Sequence, residues 1–75
     1  PRIFPNPAPE TLVVAKGRDD ISKIAIIDLS GRIVRIEIPL GGLPEVSISI
    51  ADLPKGLYVV EVTTATKVYR IKVLH

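Results

Sequence analysis

The chain has 75 residues, is 47% hydrophobic with only 4% aromatic residues, carries a net charge of +2 and contains no cysteine. A single domain over residues 1–75 is expected. A domain this small buries only about 60% of the surface its unfolded chain exposes, so an efficient aliphatic core of Ile, Val and Leu is needed. The composition excludes disorder, the absence of cysteine excludes a disulfide framework, and no apolar run reaches the length of a membrane span.

Taken from the N-terminus, Arg2-Ile3-Phe4 reads as a short extended lead-in. Pro5-Asn6-Pro7-Ala8-Pro9 follows, with three prolines on alternate positions. That spacing forbids a helix and forces β or polyproline geometry, either as an edge segment or as a fixed bend that starts the fold. Thr11 to Ala15 is apolar and β-branched, a strand. Gly17-Arg18-Asp19-Asp20 is a polar turn. Ile21 to Asp28 is apolar on both faces, Ile24 and Ile26 on one and Ala25 and Ile27 on the other, as expected of a buried central strand. Ser30-Gly31 marks a tight turn.

Arg32 to Ile38 alternates less cleanly. Val34, Ile36 and Ile38 share one face, expected to point inward, and Arg32, Arg35 and Glu37 mostly face solvent, although Ile33 falls on the solvent side. Pro39 to Pro44, with Gly41-Gly42, is a longer loop. Glu45 to Ile50 alternates almost ideally, with Val46, Ile48 and Ile50 inward and Ser47 and Ser49 outward. Ser49 to Leu53 has room for one helical turn at most.

The clearest turn-plus-strand signal is Asp52-Leu53-Pro54-Lys55-Gly56-Leu57-Tyr58-Val59-Val60-Glu61-Val62. Pro54 suits the second position of a β-turn, and Gly56 stands where a positive φ is expected. Tyr58 and the valines after it favour a half-buried strand. Thr63 to Thr66 is expected to be a polar turn. The last strand is Lys67 to Leu74, with Tyr69, Ile71 and Val73 on one side and Arg70 and Lys72 on the other. No window keeps a helical period. About seven short strands with turn signals about every 8–12 residues point to an all-β fold, an antiparallel immunoglobulin-like β-sandwich.

Chemistry is sparse. The sole histidine is His75, expected at an exposed, fraying terminus, a poor place for a general base that a third group must hold. Asp19-Asp20, Asp28 and Asp52 read as turn carboxylates that bond the local backbone. The spacing of Asp19-Asp20 matches no calcium loop, and no zinc-ligand cluster is present. Gly41-Gly42 lacks the following Lys and Ser or Thr of a phosphate loop. No catalytic residue, metal or cofactor is expected, and no small-molecule substrate. The dispersed Lys and Arg lack the stripe with stacking aromatics that a nucleic-acid partner needs. Lys67, Arg70 and Lys72 form a small positive face, which by itself reads as the wet side of an edge strand.

Several segments in order carry a family resemblance. Phe4-Pro5-Asn6-Pro7-Ala8 resembles the "YPNPA" opening of the C-terminal sorting domain of type IX secretion, type A. Ile27-Asp28-Leu29-Ser30-Gly31-Arg32-Ile33-Val34 resembles its central hydrophobic-D-hydrophobic-S/T-G-R motif. Asp52-Leu53-Pro54-Lys55-Gly56-Leu57-Tyr58-Val59-Val60 resembles its L-x-x-G-x-Y-hydrophobic-V motif, and Lys67 to Val73 is similar to its closing basic strand. Each motif alone is weak, and all four in order are specific. The chain departs from the pattern by finishing Val73-Leu74-His75, where family members often finish on lysine or glutamine.

The resemblance implies a seven-stranded sandwich at the C-terminus of a longer exported precursor, covalently continuous with an N-terminal cargo. It implies passage through the periplasm and delivery to the outer-membrane surface or the medium. The implied partners are the type IX translocon with its shuttle proteins, and a sortase-like cysteine protease that removes the domain. Recognition is expected at the last strand, through Lys67, Tyr69, Arg70, Lys72 and Val73. Pro5, Asn6, Pro7, Asp28, Gly31, Arg32, Pro54, Gly56 and Tyr58 are expected to be structural. A competing reading is a spacer module of a larger extracellular protein, fibronectin-like or flagellar-hook-cap-like, which also uses a Pro-Asn-Pro opening. A carbohydrate-binding sandwich would need exposed aromatics, and only Phe4, Tyr58 and Tyr69 are present.

Overall fold

The computed structural model describes residues 1–7 and 10–75. Among them run seven strands and no helix: β1 (Arg2–Pro7), β2 (Glu10–Ala15), β3 (Ile21–Asp28), β4 (Ile33–Glu37), β5 (Glu45–Ser49), β6 (Leu57–Thr64) and β7 (Val68–Leu74). All pairings are antiparallel. One sheet has the order β1-β2-β5 and the other β4-β3-β6-β7. The chain therefore crosses between sheets after β2, β4 and β5.

The inner faces follow the period of two. Leu12 and Val14 of β2 and Val46 and Ile48 of β5 meet Ile24 and Ile26 of β3 and Tyr58, Val60 and Val62 of β6. Ile50 closes the core at one end. Ile3, Val34, Leu53, Tyr69 and Val73 pack against its margin. The core is aliphatic apart from Tyr58, as the composition requires. β3 and β6 are the two inner strands of the larger sheet, which explains why β3 is apolar on both sides: Ala25, on its outer face, is as fully buried as Ile24.

Pro5-Asn6-Pro7 lies within β1, in the register Pro5↔Leu12, Asn6↔Thr11 and Pro7↔Glu10. β1 is an edge, where a proline's missing N–H costs no ladder bond. The edge reading of this segment holds. Ala8 and Pro9 lie outside the described residues.

The alternation of Arg32 to Ile38 is corrected. Ile27 pairs with Ile33 but Ile26 pairs with Arg35, so Val34 is an extra residue in β4. This bulge reverses the faces beyond it. Ile36 pairs with outward Ala25, and Arg35 with inward Ile26. Ile36 and Ile38 are consequently exposed instead of buried. Arg35 reaches across the open side of the sandwich, where its Nη2 donates to Asp52 Oδ1 at 2.6 Å.

A second correction concerns Thr63 to Thr66. β6 continues through Thr64, whose side chain is buried. Its hydroxyl oxygen accepts from the Lys67 amide at 3.1 Å, and Lys67 O accepts from the Thr64 amide at 2.9 Å. The reversal is therefore confined to Ala65-Thr66, held by a threonine that reads as polar in sequence but acts as an internal brace.

The β5–β6 corner joins the two sheets. Its turn bond runs from the Leu53 amide to Ile50 O at 3.1 Å, so the turn closes just before Pro54 and does not pivot on it. Pro54 instead offers its carbonyl to the Tyr58 hydroxyl. A tyrosine at the start of this strand bonding back to the preceding corner is a hallmark of immunoglobulin-like sandwiches. Gly56 has φ +149°, as its place in the sequence led us to expect. It also exchanges two backbone bonds with His75, at 2.8 and 3.3 Å.

Two changes test this corner. Tyr58→Phe keeps the ring and removes the bond to Pro54, and is expected to cost about 1 kcal/mol in urea unfolding with an unchanged m value. Gly56→Ala meets no atom within 4 Å, so any loss comes from the backbone alone, on the order of 1–3 kcal/mol.

Candidate functional site

β7 is an edge strand, paired on one side with β6 through Val62↔Tyr69, Val60↔Ile71 and Tyr58↔Val73. Because Tyr58, Val60 and Val62 face the core, Tyr69, Ile71 and Val73 do too, and each is half-buried. The intervening Arg70 and Lys72 are exposed on the outer face, with Lys67 just before the strand. The structure thus places the five residues singled out at this strand in two sets: Tyr69 and Val73 attach it to the core, and Lys67, Arg70 and Lys72 present charge. Arg70 Nε donates to Glu61 Oε2 at 3.0 Å across the β6–β7 pair. Lys67 and Lys72 hold no ion pair among the described residues.

The Asp28-Gly31-Arg32 group is a turn, built around one carboxylate. Asp28 Oδ1 accepts from the Ser30 hydroxyl at 2.6 Å and from the Ser30 and Arg32 amides at 3.0 Å each. Asp28 Oδ2 accepts from Arg32 Nε at 3.2 Å. The Gly31 amide bonds Asp28 O, with Gly31 at φ +89°, a conformation that an L side chain resists. The Ser30 hydroxyl first, then the Arg32 amide, holds the Asp28 carboxyl below its ordinary value. This turn joins β3 to β4, and β6 stands between it and β7.

Asp20 is also lowered, by the hydrogen bond and charge of Lys16 at 2.6 Å. Asp19 accepts from the Thr66 hydroxyl at 2.7 Å and so ties the β2–β3 loop to the β6–β7 turn. No group of three or more His, Cys, Asp or Glu side chains suited to a metal occurs among the described residues.

His75 departs from expectation. Its imidazole is only 5% exposed, packed with its ring centroid 6.3 Å from that of Tyr58 and its Nδ1 3.9 Å from Glu10 Oε2. Glu10 also accepts from Lys55, and this bond first, then the Lys55 charge, lowers its carboxyl. His75 is therefore a packed plug, not a frayed end. It is held there by the two backbone bonds with Gly56, which the sequence alone does not show.

Sequence reasoning missed the outer face of β3 and β4. Register places Ile33, Ile27, Val59 and Lys72 in one row and Ile36, Ala25, Glu61 and Arg70 in the next. The exposed charges of β7 thus continue into an apolar surface on the other half of the same sheet.

Over residues 2–74 the sequence matches the family of secretion system C-terminal sorting domains. The chain belongs to this family. It is a C-terminal secretion signal of the type IX system, and the sandwich seen here is its folded form. The match decides between the sorting signal and the spacer module in favour of the first. The sorting-domain family is a signal family and not a catalytic one. Its cargo is exported to the outer-membrane surface or the extracellular space. No curated protein and no solved structure matches the chain significantly.

The sorting domain's hydrogen-bonded carboxylates make its stability depend on acid. Asp28, Glu10 and Asp20 all have folded values below their unfolded ones. Their contribution is present at neutral pH and is lost as pH falls below about 4 and through the lowered folded values. Chemical unfolding followed from pH 7 to pH 2 is expected to show that decline. Asp28→Asn is expected to be less stable than the parent at pH 7, with the gap closing towards pH 2.

Proposed function

We propose that the type IX translocon and its shuttle proteins recognise this sorting domain through β7, with Lys67, Arg70 and Lys72 making the electrostatic contact. Tyr69, Ile71 and Val73 fasten the strand to the sheet so that Arg70 and Lys72 are held side by side on its outer face, with exposed Lys67 just before the strand. The observation that carries this reading is the alternation of β7, in which every second side chain packs inward while Arg70 and Lys72 stay exposed on the outer face. Exposed charge contributes to rate and specificity of encounter more than to affinity, which suits a signal that is engaged and then released.

On this reading the domain is the C-terminal piece of a longer exported precursor and comprises residues 1–75. The cargo ahead of it crosses the periplasm before reaching the surface. A sortase-like cysteine protease then removes the domain near its N-terminal boundary, and the cargo is joined to an anionic lipopolysaccharide or released. β1 supports a boundary there, as the first strand of the fold and an outer edge of the smaller sheet. In this proposal Pro5, Asn6 and Pro7 mark the edge of the fold and are not a contact for the protease.

A reporter carrying an export signal ahead of this domain, expressed in a bacterium with a type IX system, tests the proposal. Removal of the chain from Thr66 onward is expected to abolish surface delivery. Since that truncation also strips the core margin, the informative variant replaces Lys67, Arg70 and Lys72 together with glutamine. A folded triple variant should lose most surface delivery, roughly tenfold; normal delivery would sink the role of these charges.

A further inference from the structure

The two outer faces of the sandwich differ in kind. That of the β1-β2-β5 sheet carries Asn6, Thr11, Ser47 and Ser49, with Phe4 beside Val13 as its apolar point. That of the β4-β3-β6-β7 sheet carries Ile33, Ile27, Val59 and Ile36 side by side. Ile33 and Ile36 are 53% and 51% exposed. Contiguous exposed apolar surface of this kind on a small domain marks an interaction site. The β4 bulge creates it, because without the extra Val34 the side chain of Ile36 would turn to the inner face.

Charge on this face says what covers it. Lys23 and Lys72 flank the apolar rows, both on the outer side by register, Lys23 opposite Thr63 and Lys72 opposite Val59. Neither holds an ion pair among the described residues. The carboxylate of these rows, Glu61, is already occupied by Arg70. The face is therefore an apolar centre with uncompensated positive charge on two sides. A second copy stacked on it would bring lysines against lysines with no free carboxylate between them, and like charges across an interface select against that partner.

We propose that the whole outer face of the β4-β3-β6-β7 sheet, and not β7 alone, is the docking surface for an acidic protein surface with an apolar centre. The inference rests on the reading that the export machinery recognises this domain, and it extends the site to Ile33 and Ile36 of β4, Ile27 and Lys23 of β3 and Val59 of β6. The partner supplies carboxylates to Lys23 and Lys72 and apolar side chains to the isoleucine rows. Exclusion of water from the centre strengthens the rim pairs relative to their worth on an open surface.

The test uses the reporter fusion for surface delivery and the purified outer-membrane translocon as the binding probe. The variants are Ile33→Ser with Ile36→Ser, the milder Ile36→Thr, which keeps a β-branched residue in the strand, and Lys23→Glu. Phe4→Ser on the opposite outer face is the control. The double variant is expected to weaken binding and surface delivery roughly tenfold or more, and Ile36→Thr and Lys23→Glu by about threefold to tenfold. Phe4→Ser should match the parent, circular dichroism and cooperative unfolding should be retained, and parent binding should weaken as salt rises.

Parental delivery by folded Ile36→Thr and by the double variant would overturn the docking face and leave the sorting-signal reading intact. Failure of the parent domain to bind the translocon or deliver the reporter would instead overturn the reading beneath it. Loss with the isoleucine variants but none with Lys23→Glu would overturn the acidic chemistry of the partner. A parent domain that sediments as a dimer, with the double variant a monomer, would identify a second copy as the occupant and overturn the proposal.

Discussion

The bond from the Tyr58 hydroxyl to the Pro54 carbonyl is the constraint on which the rest of this sandwich leans. It sits where the chain leaves the smaller sheet and joins the larger one. Leu53 packs beneath it, Ile50 closes the turn before it, and Gly56 after it exchanges backbone bonds with His75. The corner thereby sets the register of β6. Since β6 lies between β3 and β7, its register decides which side chains of three strands face inward. A slip by one residue would turn Tyr58, Val60 and Val62 to solvent and Val59 and Glu61 to the core. A buried carboxylate without its Arg70 partner is costly, so the alternative is excluded on both faces at once.

Much of this was readable beforehand because most strands obey the period of two without interruption. β5 with the residue after it shows Val46, Ile48 and Ile50 alternating with serines, and β7 shows Tyr69, Ile71 and Val73 alternating with charge; both lie as expected. What the pattern could not show was β4. Ile33-Val34 are adjacent apolar residues, and a bulge at Val34 leaves no mark in composition. Alternation alone puts Val34, Ile36 and Ile38 on one inward face. The structure shows why that inference fails here. The extra residue at Val34 shifts the register, which turns Ile36 and Ile38 outward and sets Arg35 opposite inward Ile26. From there Arg35 reaches Asp52.

The candidate site was half visible for the same reason. Its β7 half follows from alternation within one strand. Its β3 and β4 half depends on which residues stand side by side across strands, and that is a property of register and of the bulge. Thr64 and His75 escaped notice for a different cause. Both are polar residues beside a turn or an end, where exposure is the ordinary expectation, and both are buried because a backbone partner, Lys67 for one and Gly56 for the other, holds them there.

The edges complete the physical picture. With no cysteine, the sandwich relies on its core and its hydrogen bonds, and each open edge is a hazard for pairing with other chains. β1 places Pro5 in its ladder, removing a donor. β7 sets Arg70 and Lys72 beside its edge, charges that disfavour stacking of like edges. On the proposed reading the same charges also favour an acidic partner, so protection and recognition would not compete for residues. The isoleucines of β4 and β3 lack such protection in the isolated domain. An apolar face left open on a domain with a core this small makes physical sense if a partner covers it in use, and in the docking proposal the lysines at its margins select that partner.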